Sequence, residues 1–406
     1  MSPLTAFLLA TANNLVKPMT YSRKLIALAA LTFSSLLCLP GVSFAANLPS
    51  GVDVVVTKTP VDSSLPQFES VTLALAHIAQ SSNKKPSNQR DDSTIIYITS
   101  GVYRERVVVK QNNVHFIGEE RDSTVIVFNR YAGQAIAEGS KEKWGTRRTA
   151  TFEIIGSNVT LENLTVKNDF DYPANEVKDD SDPTKVSGEQ AVALKTDVLS
   201  DKVFLNNVAL WSYQDTLYLK GDRAYIQGGI VAGHIDFIFG EGTALFEDVT
   251  ILSRARYATD KNMEYTGYIT APSTNIHRPF GLTFFNCRLE REDGVPDFSV
   301  ALGRPWHPTT TFADGRYADP YAVGKATFIS THMDSHISKE RWTSMGGTAP
   351  DGTKRYFNPL TEARFSEFDS SGKGASAEPL LHNELTSDNA KFYTPQAILR
   401  GWFPTL

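Results

Sequence analysis

The feature that most limits what this chain can fold into is a strand–corner–strand pattern that recurs along its middle. It reads VTLENLTV at residues 159–166, VFLNNVAL at 203–210, AYIQGGIV at 224–231, ALFEDVTI at 244–251, LTFFNCRL at 282–289 and ATFISTHM at 326–333. The corners fall at Asn163, Asn207, Gly228, Asp248, Asn286 and Ser330, separated by 44, 21, 20, 38 and 44 residues. The short intervals read as one coil of about 20 residues and the long ones as close to two. Asn, Asp and Gly tolerate the left-handed backbone that a sharp corner between strands needs. Strands stacked at a fixed period pair in parallel and fill a continuous apolar interior. The expected fold is therefore all-β, a right-handed parallel β-helix with long loops. A β-sandwich also contains many short strands, but it gives no reason for a repeating corner.

The flanks of the repeat are less regular. Residues 68–80 carry Val71, Leu73, Leu75, Ile78 and Ala79 at roughly helical spacing, which predicts a short helix capping the open N-terminal edge. After Asp334 the repeat is lost and Gly, Ser and Pro accumulate, so that region reads as loops and a tail lying along the solenoid. No linker composition divides residues 46–406, which are expected to form one domain.

Residues 1–45 read as a secretory signal peptide. Arg23 and Lys24 precede an apolar or small run over residues 25–39, followed by Pro40, Gly41 and the small-x-small triplet Ser43, Phe44, Ala45. Met19 is an alternative start. The apolar run is short for a membrane span, and Cys38 lacks the preceding Gly or Ala of a lipoprotein signal, so no membrane anchor is expected. The mature chain would begin near Ala46 and be exported to the periplasm or beyond. It would keep Cys287 alone, which excludes an internal disulfide. With 40 Lys and Arg against 45 Asp and Glu, the chain lacks the basic excess of a nucleic-acid binder. No metal-ligand spacing stands out, and the acidic stretch 179–183 reads as a solvated loop.

Chemistry concentrates in segments that folding alone does not explain. Residues 190–194 read QAVAL, 214–218 read QDTLY and 233–240 read GHIDFIFG. Asp236 stands between Ile235 and Phe237 in a strand-like run, where a carboxylate is either on the solvent face or costly to bury. Gln190 and Gln214 lie 24 residues apart, and Asp215 and Asp236 lie 21 apart. At one coil each, these groups fall on one face of the solenoid, with neighbouring strands about 4.8 Å apart. Two carboxyls that close cannot both ionise freely, so one becomes an acid and the other stays a carboxylate. Residues 302–306, LGRPW, add Arg304, whose rigid fork can pair with a carboxylate, and Trp306, a flat face for a sugar ring.

These segments, together with GVYRE at 101–105, are similar in kind and order to the motifs of the pectin methylesterase (pectinesterase) family, in its bacterial branch. The resemblance extends over roughly residues 55–400. It implies a right-handed parallel β-helix, no metal or organic cofactor, a monomer, and methyl-esterified homogalacturonan as substrate. It implies that Asp236 is the nucleophile and Asp215 the general acid and then base. Gln190 and Gln214 would stabilise the oxyanion, and Arg304 would orient the nucleophile. Trp306, Thr146, Tyr218, Phe239, Arg256, Tyr268 and Thr309 would hold the substrate. The disulfide of some relatives has no counterpart here.

Other readings of the same groove are a glycoside hydrolase, which also needs two carboxylates, and a lyase of the same polymer, which usually needs calcium. The glutamine pair argues against the hydrolase, because hydrolysis of a glycosidic bond develops no carbonyl oxyanion, and no calcium cluster stands in register with Asp215 and Asp236 for a lyase. A non-catalytic adhesin or carbohydrate-binding module would explain the repeat but not an acid pair beside two register-matched amides.

Overall fold

The computed structural model describes residues 48–82, 93–257, 263–375 and 384–404. The proposed signal region, residues 1–45, lies outside them.

All six corner residues have left-handed backbone. Asn163, Asn207, Asp248, Asn286 and Ser330 hold φ between 50° and 56°, and Gly228 holds 59°. That conformation costs most L-residues about 1–2 kcal/mol, and Asn and Asp tolerate it best. It turns the chain out of one sheet and into the next without interrupting the stack. The Asn207 side-chain amide donates to the Asn163 side-chain carbonyl at 2.8 Å, so the corners also pair with each other. A representative coil runs through Val203–Asn206, the Asn207 corner, Ala209–Trp211 and Leu217–Leu219, and re-enters the first sheet at Arg223–Gln227.

Among the described residues, these coils stack into three parallel sheets of eleven, eight and seven strands. The enclosed interior is apolar. Phe246, Phe284 and Phe328 occupy matching positions on successive strands and stack face to face, with ring centroids 4.5 and 4.3 Å apart. A right-handed parallel β-helix results, as the repeat predicts.

Two expectations need correction. The 44- and 38-residue intervals are single coils, not pairs, because Val159–Glu162 pairs directly with Val203–Asn206, Thr243–Glu247 with Leu282–Phe285, and Leu282–Phe285 with Lys325–Ile329. The extra residues are loops inserted at the surface turns, including residues 169–193 in the first of these intervals and 304–324, which hold a small hairpin, in the last. The entropy of closing a loop grows only slowly with its length, so such insertions leave the stack undisturbed. Nor does the solenoid end at Asp334. Arg364–Phe368 adds another strand beside Lys325–Ile329, and Asp369, with φ 54°, supplies a further corner.

The N-terminal helix spans Val71–Ser82 and buries Val71, Ala74, Leu75 and Ile78 against the first coils. Leu73, expected on that face, is exposed. The GVYRE motif anchors this cap. The Glu105 carboxylate accepts from the backbone N–H of Val71 and of Thr72, both at 2.8 Å, and from the Thr72 hydroxyl at 2.6 Å. These bonds satisfy donors that a helix start leaves open. At the other end of the chain, Ile398 and Leu399 cover Phe204, Tyr225 and Leu245 on the outer face of the eleven-stranded sheet.

Candidate active site

The seven-stranded sheet and the loops above it form a groove of about 700 Å³. Gln190, Gln214, Asp215, Tyr218, Asp236, Phe239, Arg304 and Trp306 all line it, as does Thr146 at its N-terminal end. The two aspartates reach it through local distortions of the strands. Asp215 and Asp236 have φ of 66° and 50°, conformations that store strain and occur at functional sites. The register of strand Ile235–Gly240 shifts between Ile235 and Ile238. In consequence Phe237 and Ile238 both face the interior, and Asp236 leaves the in–out alternation to face the groove. Gly233 makes room for this bend, since a Cβ there would lie 2.3 Å from the Phe237 Cβ.

The predicted register holds. Strands Leu217–Leu219 and Ile235–Gly240 are direct neighbours, and the Asp215 N–H donates to the Ile235 carbonyl at 3.1 Å. One coil earlier, the Ala191 N–H donates to the Gln214 carbonyl. The side-chain amides of Gln190 and Gln214 have no hydrogen-bond partner among the described residues, so their donors are available to a ligand.

The two carboxyls sit in different electrostatic surroundings. Arg304 donates through Nε to Asp236 Oδ1 at 2.7 Å and through Nη2 to Oδ2 at 2.6 Å. Such a two-pronged contact is among the stronger and more directional ion pairs. The guanidinium also stacks over Tyr268, 3.8 Å from the ring centroid. Just before Arg304, Gly303 lets its strand pack closely on the neighbouring one, because a Cβ there would lie 2.1 Å from the Thr270 Oγ1. Asp215 is buried and has no ion-pair or hydrogen-bond partner for its carboxyl among the described residues. Burial pushes that carboxyl well above the usual carboxylate range, the neighbouring Asp236 charge pushes it further, and Arg304 opposes the shift. The site thus holds a carboxylate gripped by an arginine beside a carboxyl that prefers its proton.

One wall is aromatic. Tyr218 and Phe239 stack with centroids 4.2 Å apart, and Trp306 meets Phe239 edge-on at 5.7 Å.

A pectinesterase family model matches residues 54–400. The chain belongs to the pectinesterase family. Pectinesterase A of Dickeya dadantii is 45% identical to it over 313 residues, covering 77% of this chain and 84% of that one. Among solved structures, the pectin methylesterase from Erwinia chrysanthemi superposes with a TM-score of 0.80 at 40% identity, covering 88% of this chain and all of the other. A pectin methylesterase solved in complex with a hexasaccharide gives 0.81 at the same identity and coverage.

Not every expected groove residue of this pectinesterase lines the cavity. Tyr268 acts from beneath Arg304. Arg256 is turned to Glu176, in an ion pair of 2.6 Å. Thr309 begins an exposed hairpin, Thr309–Phe312 with Gly315–Ala318, beyond Trp306. Conversely, Trp144, Arg147, Arg148 and Met345 line the groove and were not anticipated. The run KEKWGTRR at residues 141–148 carried a signal for the first three, a tryptophan among cations in a loop. Met345 carried none. Among the described residues no group of His, Cys, Asp and Glu is arranged to hold a metal ion. The carboxylates of Asp179 and Asp182 fold back onto Ser181 and Thr184.

Proposed function

We propose that this pectinesterase removes the methyl ester from the C6 carboxyl of galacturonate units in pectin through an acyl intermediate on Asp236. A carboxylate oxygen of Asp236 attacks the ester carbonyl carbon, and charge moves onto the carbonyl oxygen. The Gln190 and Gln214 amides donate to that oxygen, a form of stabilisation that is often the largest single contribution in acyl transfer. The C–O bond to methoxide breaks as Asp215 gives it a proton, and methanol departs. The remaining anhydride between substrate and Asp236 is cleaved by water, which Asp215, now a carboxylate, deprotonates. Asp236 is regenerated, Asp215 is protonated again, and the sugar leaves with a free carboxyl group.

The observation that carries this assignment is the asymmetry of the pair, with Arg304 on both oxygens of Asp236 and a buried, unpaired Asp215 one coil away. The test is Asp236→Asn, assayed for methanol released from methylated pectin. Release should be abolished with the fold retained, and near-parental activity would refute the assignment. The basic–apolar–small pattern of residues 23–45 supports export and a mature chain starting near Ala46, and the family resemblance supports a monomer. N-terminal sequencing and sedimentation of the exported protein check both points.

A further inference from the structure

The left-handed backbone at Asp215 and Asp236 is unfavourable for L-residues and persists only where the surroundings over-determine it. Downstream of the two aspartates, the regular pairing of Leu217–Leu219 with residues 238–240 does this. Upstream, the chain has just left the eight-stranded sheet, and Ser212, Tyr213 and His234 lie between the sheets.

One residue braces this upstream side. Arg254 follows the strand Thr250–Ser253 in the next coil. Its N–H donates to the Gly233 carbonyl at 2.8 Å, three residues before Asp236. Its Nη1 donates to the Ser212 carbonyl at 3.0 Å and its Nη2 to the Tyr213 hydroxyl at 2.9 Å, three and two residues before Asp215. The same guanidinium lies over the Tyr213 ring, 3.7 Å from Cζ to the centroid. The brace reaches one coil further, because the Ser212 hydroxyl donates to the Ala191 carbonyl, next to Gln190.

Arg254 is itself held. Glu292, from the coil beyond, accepts from Arg254 Nε and from the Ala255 N–H, both at 3.0 Å, which compensates the charge and keeps the fork in this orientation. His234 packs edge-on against Tyr172 at 4.3 Å and tilted against Tyr213 at 5.4 Å. Burial, with Arg256 and Arg254 nearby, pushes its imidazole well below the usual histidine range, so it packs as a neutral ring. The His234 N–H donates to the Tyr213 carbonyl at 2.9 Å, and its carbonyl accepts from the Tyr268 N–H at 2.8 Å, which joins both aspartate segments to the residue beneath Arg304.

Arg254 is not one of the described residues that line the groove, so it acts through these segments. Attack by Asp236 and proton transfer by Asp215 meet at one ester group, and an error in their separation cannot be absorbed by shifting the substrate. We propose that Arg254, oriented by Glu292, is a positioning residue for ester cleavage, fixing the spacing of acid and nucleophile by bracing the chain just before each. This inference rests on the catalytic reading given above and adds to it a residue outside the groove.

The experiment measures kcat and KM for methanol release, together with the urea midpoint, in Arg254→Met, Arg254→Lys and Tyr213→Phe. Arg254→Met keeps the apolar stem and loses every side-chain donor. Its kcat should fall by about 10- to 100-fold, the larger figure being the loss that about an ångström of misplacement can bring, and its KM should stay within about twofold of the parent. Arg254→Lys keeps a charge and fewer donors, and should recover part of kcat. Tyr213→Phe keeps the ring and loses one bond, so kcat should fall about threefold at parental KM. A brace without bearing on catalysis would lower the urea midpoint of Arg254→Met and leave the kcat of the folded variant parental; that result, or a loss confined to KM, overturns the proposal. If Arg254→Met does not fold, parental kcat in both Arg254→Lys and Tyr213→Phe overturns it. Failure of the catalytic reading is separate, since it would appear as methanol release by Asp236→Asn.

Discussion

Removing the Arg304 guanidinium tests whether the ion pair with Asp236 is the element that makes the site. The side chains of Arg304 and Asp236 are 20% and 10% accessible, and two short hydrogen bonds join them. Taking one partner from a buried pair leaves the other uncompensated, at about 3–5 kcal/mol. Water can enter from the groove, so Arg304→Ala is expected near the lower end, about 3 kcal/mol, a substantial part of a stability of about 5–15 kcal/mol. Arg304→Lys keeps a charge but loses one of the two bonds, and should cost about 1.5 kcal/mol. The catalytic effect should be larger than the loss of stability alone implies. A carboxylate free to swing by an ångström can lose about 100-fold in rate, so kcat should fall by that order in Arg304→Ala, with a smaller change in KM. Urea unfolding followed by tryptophan fluorescence gives the stability difference, and methanol release at saturating pectin gives kcat. If Arg304→Ala unfolds at the parental urea midpoint and turns over at close to the parental rate, the argument that this pair organises the site is wrong.

Two further outcomes follow from other parts of the molecule. The folded-state value of Asp215 lies above its unfolded value of about 3.9. Its contribution to stability is therefore fully present in acid and is lost as pH rises through the folded value. Asp215→Asn should thus match the parent in thermal unfolding at low pH and exceed it on the alkaline side. Methanol release by the parent should decline as pH passes the same folded value, because the proton donor is lost; a variant no more stable at any pH would refute the buried, neutral carboxyl. Glu105→Ala removes the acceptor for two backbone N–H groups of the N-terminal helix and should cost about 1–2 kcal/mol in urea unfolding. Its KM and kcat should remain parental, since Glu105 caps a helix outside the groove, and a large loss of kcat would show that this motif does more than anchor the cap.

Much of the fold and the centre of the site could be read without coordinates. The corner residues Asn163, Asn207, Gly228, Asp248, Asn286 and Ser330 declare the period because a left-handed corner restricts residue type locally. Once the coil length was known, the 21-residue spacing of Asp215 and Asp236 placed them on neighbouring strands. The assignment of nucleophile and acid came from family resemblance, since spacing treats the two aspartates alike. Their different surroundings, Arg304 on one and burial around the other, are visible only in the folded chain.

Only the tertiary structure decided that the 44-residue intervals are single coils, that the solenoid continues past Asp334, and which loop residues reach the groove. Loop insertions preserve strand pairing, so they leave no mark on the repeat except a longer gap, and a gap does not say whether it holds a coil or a loop. The bulge that turns Asp236 outward is likewise invisible in an apolar run, because it depends on register with the neighbouring strand rather than on residue type. Met345 illustrates the same limit. A period is written in local backbone preferences, whereas the lining of a groove depends on which distant loops the stacked coils bring together.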